Sequence, residues 1–441
     1  MTEPRTTLPT SHPELTPQSD ASLAPPSNRE VPIARWKRVL FTAVMLAVPL
    51  VVLHYGAVYY LRVTQGYDGV HLYQYDYDAY KVIRPAANYV DLRGPRHNAQ
   101  GFRRDTPVSR VKPAGTYRVF LMGGSTAYGT GGLWPHIQKD WPVLKNSQTI
   151  DAYLEKILRD SLGGAPVEVV NAAIVSSWTH QHLIYLNQTI LGYSPDMVLF
   201  LDGFNDFYFY DDAHDQFADY DYGNPAQIIM GDPTLSSLAY ANAWWLFRRS
   251  PVAHLVGRSL QNAKLLLAKK PVQKPLDVDA SLAGLRRTFP RSALKMHRRM
   301  GLILRDENVH AVFMQQPMLV LERGRKPMPT MERKLFDFNV SSYLPNYEEY
   351  AIRATAFTTA QEAQMAKDVG GDFLDLTTAF DGVPWQAFTD YAHLTPQANQ
   401  LVAMRIAREI LPTIRKDKSG PCGGRSCPTT AGSATEQGSA R

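Results

Sequence analysis

Four short stretches of this 441-residue chain carry side chains that, brought together, would perform nucleophilic chemistry. They are Gly123-Gly-Ser125, Val170-Asn-Ala-Ala-Ile-Val-Ser-Ser177, Asp202-Gly-Phe-Asn-Asp206 and Asp390-Tyr-Ala-His-Leu-Thr-Pro396. Acyl transfer by a serine needs a base on its hydroxyl and donors aimed at the developing oxyanion. Ser125 supplies the hydroxyl and His393 the base. Asp390, three residues before the histidine in a turn, can hold the imidazole in the right tautomer. Asn205 offers a side-chain amide donor. Each has a plainer reading when taken singly: a serine capping a glycine-rich turn, a surface histidine before a helix, an aspartate capping a turn, an ordinary turn composition around Asn205. Their joint presence, in this order, favours the chemistry.

Each block lies just after a strand or just before a helix. Val119–Met122 reads as a short buried strand that Gly123 and Gly124 stop, which leaves Ser125 where a strand hands over to a loop or helix. A serine exposed at the carboxyl end of a buried strand is where an α/β enzyme keeps a nucleophile. Two rival glycine motifs fail here. Gly124 and Gly129 have the gap of a phosphate loop, but Thr130 stands where lysine should be. Gly129 and Gly131 begin a dinucleotide fingerprint, but Trp134 occupies the third glycine position.

From Tyr117 onward the pattern alternates. Strands are predicted at 167–171, 197–201, 309–314 and 373–376, and helices at 149–162, 179–191 and 351–369. A final helix begins at Thr395-Pro396, with the threonine as N-cap and the proline at the first helical position. Apolar strands alternating with helices argue a three-layer α/β sandwich with a central parallel sheet covered on both faces. In such a sheet the strand ends share one edge, so the four blocks converge there. The alternation is interrupted between about 206 and 308. This insertion is aromatic early (Phe207, Tyr208, Phe209, Tyr210, Trp244, Trp245) and basic late (Arg286, Arg287, Arg291, Lys295, Arg298, Arg299), and the basic part reads as a solvated face.

Before the sheet, residues 1–34 are rich in Pro, Ser and Thr and predict a disordered tail. Val39 to Leu61 then carries no formal charge, within a transmembrane segment read as 35–62. Such a run spans a hydrocarbon core of about 30 Å. Arg29, Arg35, Lys37 and Arg38 precede it and Arg62 alone follows closely, which puts the amino terminus in the cytoplasm and the bulk in the periplasm or outside the cell. The length of the run, with no small-x-small cleavage site, reads as an uncleaved anchor. The stretch 63–114 is tyrosine-rich, and its tyrosines are expected to pack a small structure on the following domain, 115–414. Residues 415–441 read as a disordered tail, which holds both cysteines, Cys422 and Cys427, so no disulfide framework holds the core. A net charge of +6 without long runs of like charge gives no case for nucleic acid.

The blocks resemble those of the SGNH hydrolase superfamily, the GDSL-type esterases. Gly-Gly-Ser125 resembles the nucleophile block, Gly203-Phe-Asn205-Asp its Gly-x-Asn-Asp block, and Asp390-x-x-His393-Leu-Thr-Pro its closing Asp-x-x-His block. The resemblance implies a flavodoxin-like fold, with Ser125 as nucleophile, His393 as base and Asp390 as its partner. It implies an oxyanion hole from the Ser125 N–H and the Asn205 side chain. Two blocks depart from the family. The first lacks the usual aspartate before serine. The second, Asn171-Ala-Ala-Ile-Val-Ser-Ser, lacks the usual glycine, and Ser176 is the nearest stand-in as third donor.

The expectation is a membrane-anchored serine esterase acting on an acylated glycan or lipid, with no metal or organic cofactor. Asp211, Asp212, His214 and Asp215 read as a polar loop rather than a metal site. Two alternatives remain open: an O-acyltransferase using the same triad, and a non-catalytic glycan-binding or assembly protein that keeps the fold.

Overall fold

The computed structural model describes residues 34–78, 80–132, 137, 143–208, 249–267, 276–343 and 346–419. The expected tails up to residue 33 and from 420, the aromatic residues Phe209, Tyr210, Trp244 and Trp245, the loop Asp211–Asp215 and both cysteines lie outside the described residues. The chain divides into two units, Met1–Val52 and Leu53–Arg441.

Helix α1 (Arg35–Gln65) is long and apolar enough to cross a membrane, the only such helix among the described residues. Its length from Val39 to Leu53 exposes large apolar side chains.

The second unit begins with the end of α1 and an antiparallel hairpin, β1 (Tyr75–Asp78) and β2 (Val82–Pro85). The alternation then follows: β3 (Tyr117–Gly123), the one-turn helix α2 (Ser125–Tyr128), α3 (Ile150–Ser161), β4 (Val167–Asn171), α4 (Thr179–Tyr185), β5 (Met197–Asp202) and α5 (Phe204–Tyr208). After these come α6 (Pro251–Leu267), α7 (Val278–Thr288), α8 (Ala293–Asp306) and β6 (His310–Gln315). The chain closes with α9 (Thr330–Phe338), α10 (Tyr347–Val369), β7 (Asp372–Asp375) and α11 (Pro396–Ser419).

The main sheet is parallel throughout, in the order β4-β3-β5-β6-β7. Counted within the sheet this is 2-1-3-4-5, the flavodoxin-like order of doubly wound folds. Because side chains alternate across a strand, each strand feeds two cores. Val119, Leu121, Val169, Leu199, Val312 and Met314 meet Leu154, Leu158, Val402, Ile406 and Ile410 on one face. Phe120, Met122, Val170, Val198, Phe200 and Phe313 meet Ile190, Tyr193, Met300, Leu304 and Met365 on the other. Neighbours Phe200 and Phe313 stack with ring centres 5.2 Å apart. Burying each of these side chains contributes roughly 1.5–3 kcal/mol. The expected three-layer α/β sandwich is therefore the fold.

Several boundaries differ from the sequence reading. The region 206–308 is less of an interruption than its length suggests. Its last helix, α8, is the crossover between β5 and β6, with His297, Met300 and Leu304 turned into the sheet, while Arg286, Arg287, Arg291, Lys295, Arg298 and Arg299 are exposed. The helix expected at 179–191 keeps α geometry only to Tyr185 and then changes its winding through Tyr193. The final helix passes Ile414 and runs to Ser419, because Asp417 accepts from the Tyr117 hydroxyl at 2.9 Å and Lys418 Nζ donates to Gly115 O at 2.8 Å. Thr395 does cap it, its Oγ1 accepting from the Ala398 N–H at 3.3 Å.

The tyrosine-rich stretch is built into the second unit. The Tyr75 hydroxyl accepts from the Val175 N–H at 3.1 Å, Gln181 Nε2 donates to Lys81 O at 2.6 Å, and His97 Nε2 lies 2.9 Å from the Tyr128 hydroxyl. Arg103 donates to the carbonyls of Tyr128, Gly129 and Leu144.

Candidate active site

The strand order reverses between β3 and β5, since β4 lies on one side of that pair and β6 on the other. Such a switch opens a crevice at the carboxyl ends of the two strands. The first and third sequence blocks both emerge there. Gly123 ends β3 with φ 144°, and an added Cβ would sit 2.3 Å from Leu201 O on β5, so only glycine lets the two strand ends approach this closely. At Gly124 an added Cβ would lie 2.7 Å from Asn205 Nδ2. The absence of a side chain there lets the third block fold over the first.

Ser125 opens α2, and its carbonyl accepts from the N–H groups of Gly129 and Thr130, both at 3.0 Å. Within 121–129 it alone is not fully buried. As the first residue of a helix, its N–H has no acceptor within that helix. Asn205 comes from the turn after β5 and donates one amide N–H to Ser177 O at 2.9 Å, which leaves its second for another acceptor.

The second block forms the wall between them. Ser176 has φ 59°, the left-handed conformation that a glycine adopts freely and that costs an L-residue roughly 1–2 kcal/mol. The Ser177 N–H and hydroxyl both return to Ile174 O, at 3.2 and 2.7 Å, and close the turn.

The fourth block makes a tight carboxylate–imidazole pair. Asp390 Oδ1 accepts from the N–H groups of Ala392 and His393, each at 2.9 Å, and Oδ2 lies 2.7 Å from His393 Nδ1. Burial alone would raise the Asp390 carboxyl. The His393 imidazole and the two backbone donors outweigh it and hold the carboxyl below its usual range. An ionised carboxylate only accepts, so Nδ1 carries a proton, and in the neutral imidazole the lone pair is on Nε2. His393 is 1 % exposed, and its Nε2 has no hydrogen-bond partner among the described residues. The expected link from Ser125 to Nε2 is thus not a formed hydrogen bond in this structure.

Other contacts bring the blocks together. Thr126 Oγ1 donates to Ala392 O at 3.2 Å, and the rings of Phe204 and Tyr391 lie 4.5 Å apart.

Two networks lie behind the site, and the pairings within them carry no sequence signal. Lys326 and Glu332 form a fully buried ion pair. Glu332 Oε1 also accepts from the N–H groups of Ala387 and Phe388, at 3.0 and 3.1 Å, and Lys326 donates to Trp385 O. The backbone so held pairs with the His393 segment: Thr389 donates to His393 O, and Phe388 bridges Leu394. Charged residues are normally read as surface, and nothing in their local sequence marks these as buried. The second network, around Ser177, His182, Asp202, Asp206 and His297, draws on separate elements. Burial and the neighbouring Asp202 charge push Asp206 up to about 6. Among the described residues no group of three or more His, Cys, Asp or Glu is arranged to hold a metal ion.

No family model and no curated protein sequence matches this chain. Similar solved structures include Axe2, an acetylxylan esterase from Geobacillus stearothermophilus, with a TM-score of 0.33 and 12% identity over 67% of this chain and 94% of that one. The acetyl xylan esterase AlAXEase has a TM-score of 0.34 and 11% identity, with 66% of this chain and 99% of that one covered. LAE5, an α/β hydrolase enzyme from the metagenome of Lake Arreo, Spain, has a TM-score of 0.33 and 12% identity over 66% of this chain and 94% of that one. The fold class rests on the strand order and connections of the chain itself.

Proposed function

We propose that this protein is a serine esterase of the SGNH type, with Ser125, His393 and Asp390 as its triad. The observation that carries the reading is the Asp390–His393 pair, with its carboxylate on Nδ1 and its buried Nε2 unpaired. Ser125 Oγ attacks the ester carbonyl while Nε2 takes its proton. The Ser125 N–H, the Ser176 N–H and the free Asn205 amide N–H stabilise the oxyanion. Collapse of the tetrahedral intermediate releases the alcohol, which takes the proton back from His393. Water, deprotonated by the same nitrogen, then attacks the acyl-serine and frees the acid and Ser125. The accessible serine between buried neighbours and the left-handed Ser176 support this assignment of roles.

Helix α1 serves as an uncleaved anchor with its amino terminus in the cytoplasm and the catalytic unit in the periplasm or outside the cell. The basic residues before Val39 support that orientation. The substrate is an acyl group, such as O-acetyl, on a glycan or lipid.

The test is covalent labelling of the full-length protein by a fluorophosphonate, with turnover of p-nitrophenyl acetate. Ser125→Ala should abolish labelling. Ser125→Ala and His393→Ala should each lower kcat by about 10⁴ or more, with the double variant hardly worse, because triad losses are strongly non-additive. An unlabelled, inert wild-type protein would support the non-catalytic reading instead. Acyl transfer to an added sugar hydroxyl in preference to water would make the protein an O-acyltransferase. A reporter fused after Leu61 that reads cytoplasmic would overturn the orientation.

A further inference from the structure

The turn at Ser177 touches each of the blocks that leave the sheet. Its backbone carbonyl receives the Asn205 amide, and its hydroxyl lies 2.7 Å from Ile174 O and 3.2 Å from Gly123 O. The same hydroxyl is 2.6 Å from His182 Nε2, and both side chains are 1 % exposed. A hydroxyl has one proton to give. Carbonyl oxygens only accept, so the 2.7 Å contact with Ile174 O takes that proton, and the Ser177 oxygen is left to accept from His182 at 2.6 Å. His182 Nε2 therefore donates, and the imidazole fixes the rotation of the Ser177 hydroxyl.

The other ring nitrogen of His182 has a charged neighbour but no formed hydrogen bond among the described residues. This Nδ1 lies 3.3 Å from Asp202 Oδ2, at the end of β5. Asp202 also meets His297 Nε2 at 3.1 Å, and His297 Nδ1 meets Glu362 Oε1 at 2.7 Å. The start of α4, which carries His182, is tied to the third block by Thr179, whose N–H and hydroxyl donate to Asp206 Oδ1 at 3.2 and 2.9 Å. The chain of contacts thus runs from Glu362 on α10, through His297 on α8 and Asp202 on β5, to His182 and Ser177. It ends at the carbonyl that orients Asn205. All five of these side chains are buried.

We propose that His182 is a positioning residue for the esterase reaction: through Ser177 it holds the Asn205 amide and the Ser176 peptide where the oxyanion forms. The inference rests on the esterase reading above. It predicts a specific kinetic pattern, because orienting an oxyanion donor affects the transition state more than the bound ester.

The experiment uses the full-length protein with p-nitrophenyl acetate, with active sites titrated by the fluorophosphonate. His182→Gln keeps an amide N–H near the position of Nε2. His182→Asn places its amide nearer Nδ1 and cannot reach Ser177. His182→Leu removes the donor altogether. Per titrated site, kcat should fall about 10-fold or more in the Leu and Asn variants, with KM within about twofold, and Gln should restore most of the loss. The double variants should be no worse than Asn205→Ala alone, since both changes disable the same donor. Should the Leu variant fail to fold, the comparison of Gln with Asn decides the question. Equal kcat for Gln and Asn, or full multiplication of the His182 and Asn205 losses, overturns the inference and leaves the esterase reading standing. A wild-type protein that neither labels nor turns over overturns both.

Discussion

Ser125 and Asn205 leave the sheet at the ends of adjacent strands, whereas His393 lies in 376–395, a stretch with no helix or main-sheet strand. The serine side inherits its geometry from β3 and β5, whose register is fixed by a continuous parallel ladder. The histidine side has no ladder to inherit. Its backbone is held by Glu332, a carboxylate on α9, which depends in turn on Lys326. The comparison teaches that one half of the site is positioned by backbone pairing and the other by a desolvated charge pair. Backbone pairing survives most single substitutions. A buried pair does not, because removing one member strands the other.

The largest expected effect follows from that difference. Glu332→Ala leaves Lys326 buried without its counter-ion and frees the Ala387 and Phe388 N–H groups. It should cost about 3–5 kcal/mol in urea unfolding and lower turnover as the His393 segment loosens. Wild-type stability in this variant would mean that the histidine side is held by packing instead. On the serine side, Asn205→Ala should leave stability nearly unchanged yet lower kcat by about 10²–10³, with little change in KM. A loss in KM alone would remove Asn205 from the oxyanion hole. The two substitutions together separate a support that acts through folding from one that acts in the transition state.

A third prediction concerns Glu322, beside the buried pair. Neither of its oxygens has a hydrogen-bond partner among the described residues, and burial pushes its carboxyl up to about 8, against the opposing pull of Arg325 and Lys326. The folded state therefore favours the neutral acid. That contribution is present below the ordinary carboxyl pKa and is lost as pH rises through about 8. Glu322→Gln should be close to neutral at pH 4.5 and stabilise by on the order of 2–4 kcal/mol at pH 9. A thermal-shift series with the same Tm difference at both pH values would refute this.

The smallest effect is expected at Ser176. Ser176→Gly relieves the left-handed strain and should raise the urea midpoint by the equivalent of about 1 kcal/mol. A fall would show that the side chain contributes more than its conformation costs.

The same contrast explains what the sequence made legible. The strands at 167–171 and 197–201 were readable because they are apolar runs bounded by turn residues, and their parallel arrangement followed from the alternation with helices. Ser125, Asn205, Asp390 and His393 stood out because each follows a strand or precedes a helix. The left-handed turn at Ser176 gave no signal of its own, since glycine is the residue that announces one, and only the family resemblance pointed to that position. Lys326, Glu332 and Glu322 resembled ordinary surface charges. His182, Asp202, His297 and Glu362 are spaced far apart along the chain, and only the tertiary fold makes them neighbours.

The bond between Tyr75 and Val175 has a practical and evolutionary consequence. The connector that follows α1 is part of the scaffold of the second block, one residue from Ser176. A soluble version cut at Tyr117, where the core sheet begins, would lack Tyr75, Lys81, His97 and Arg103 and all the contacts they make with the site's framework. The unit that carries the candidate site is therefore not a cassette that can be separated from its connector at the first core strand. Any exchange, by recombination or by design, has to carry the chain from about Gly66 onward as one inseparable piece.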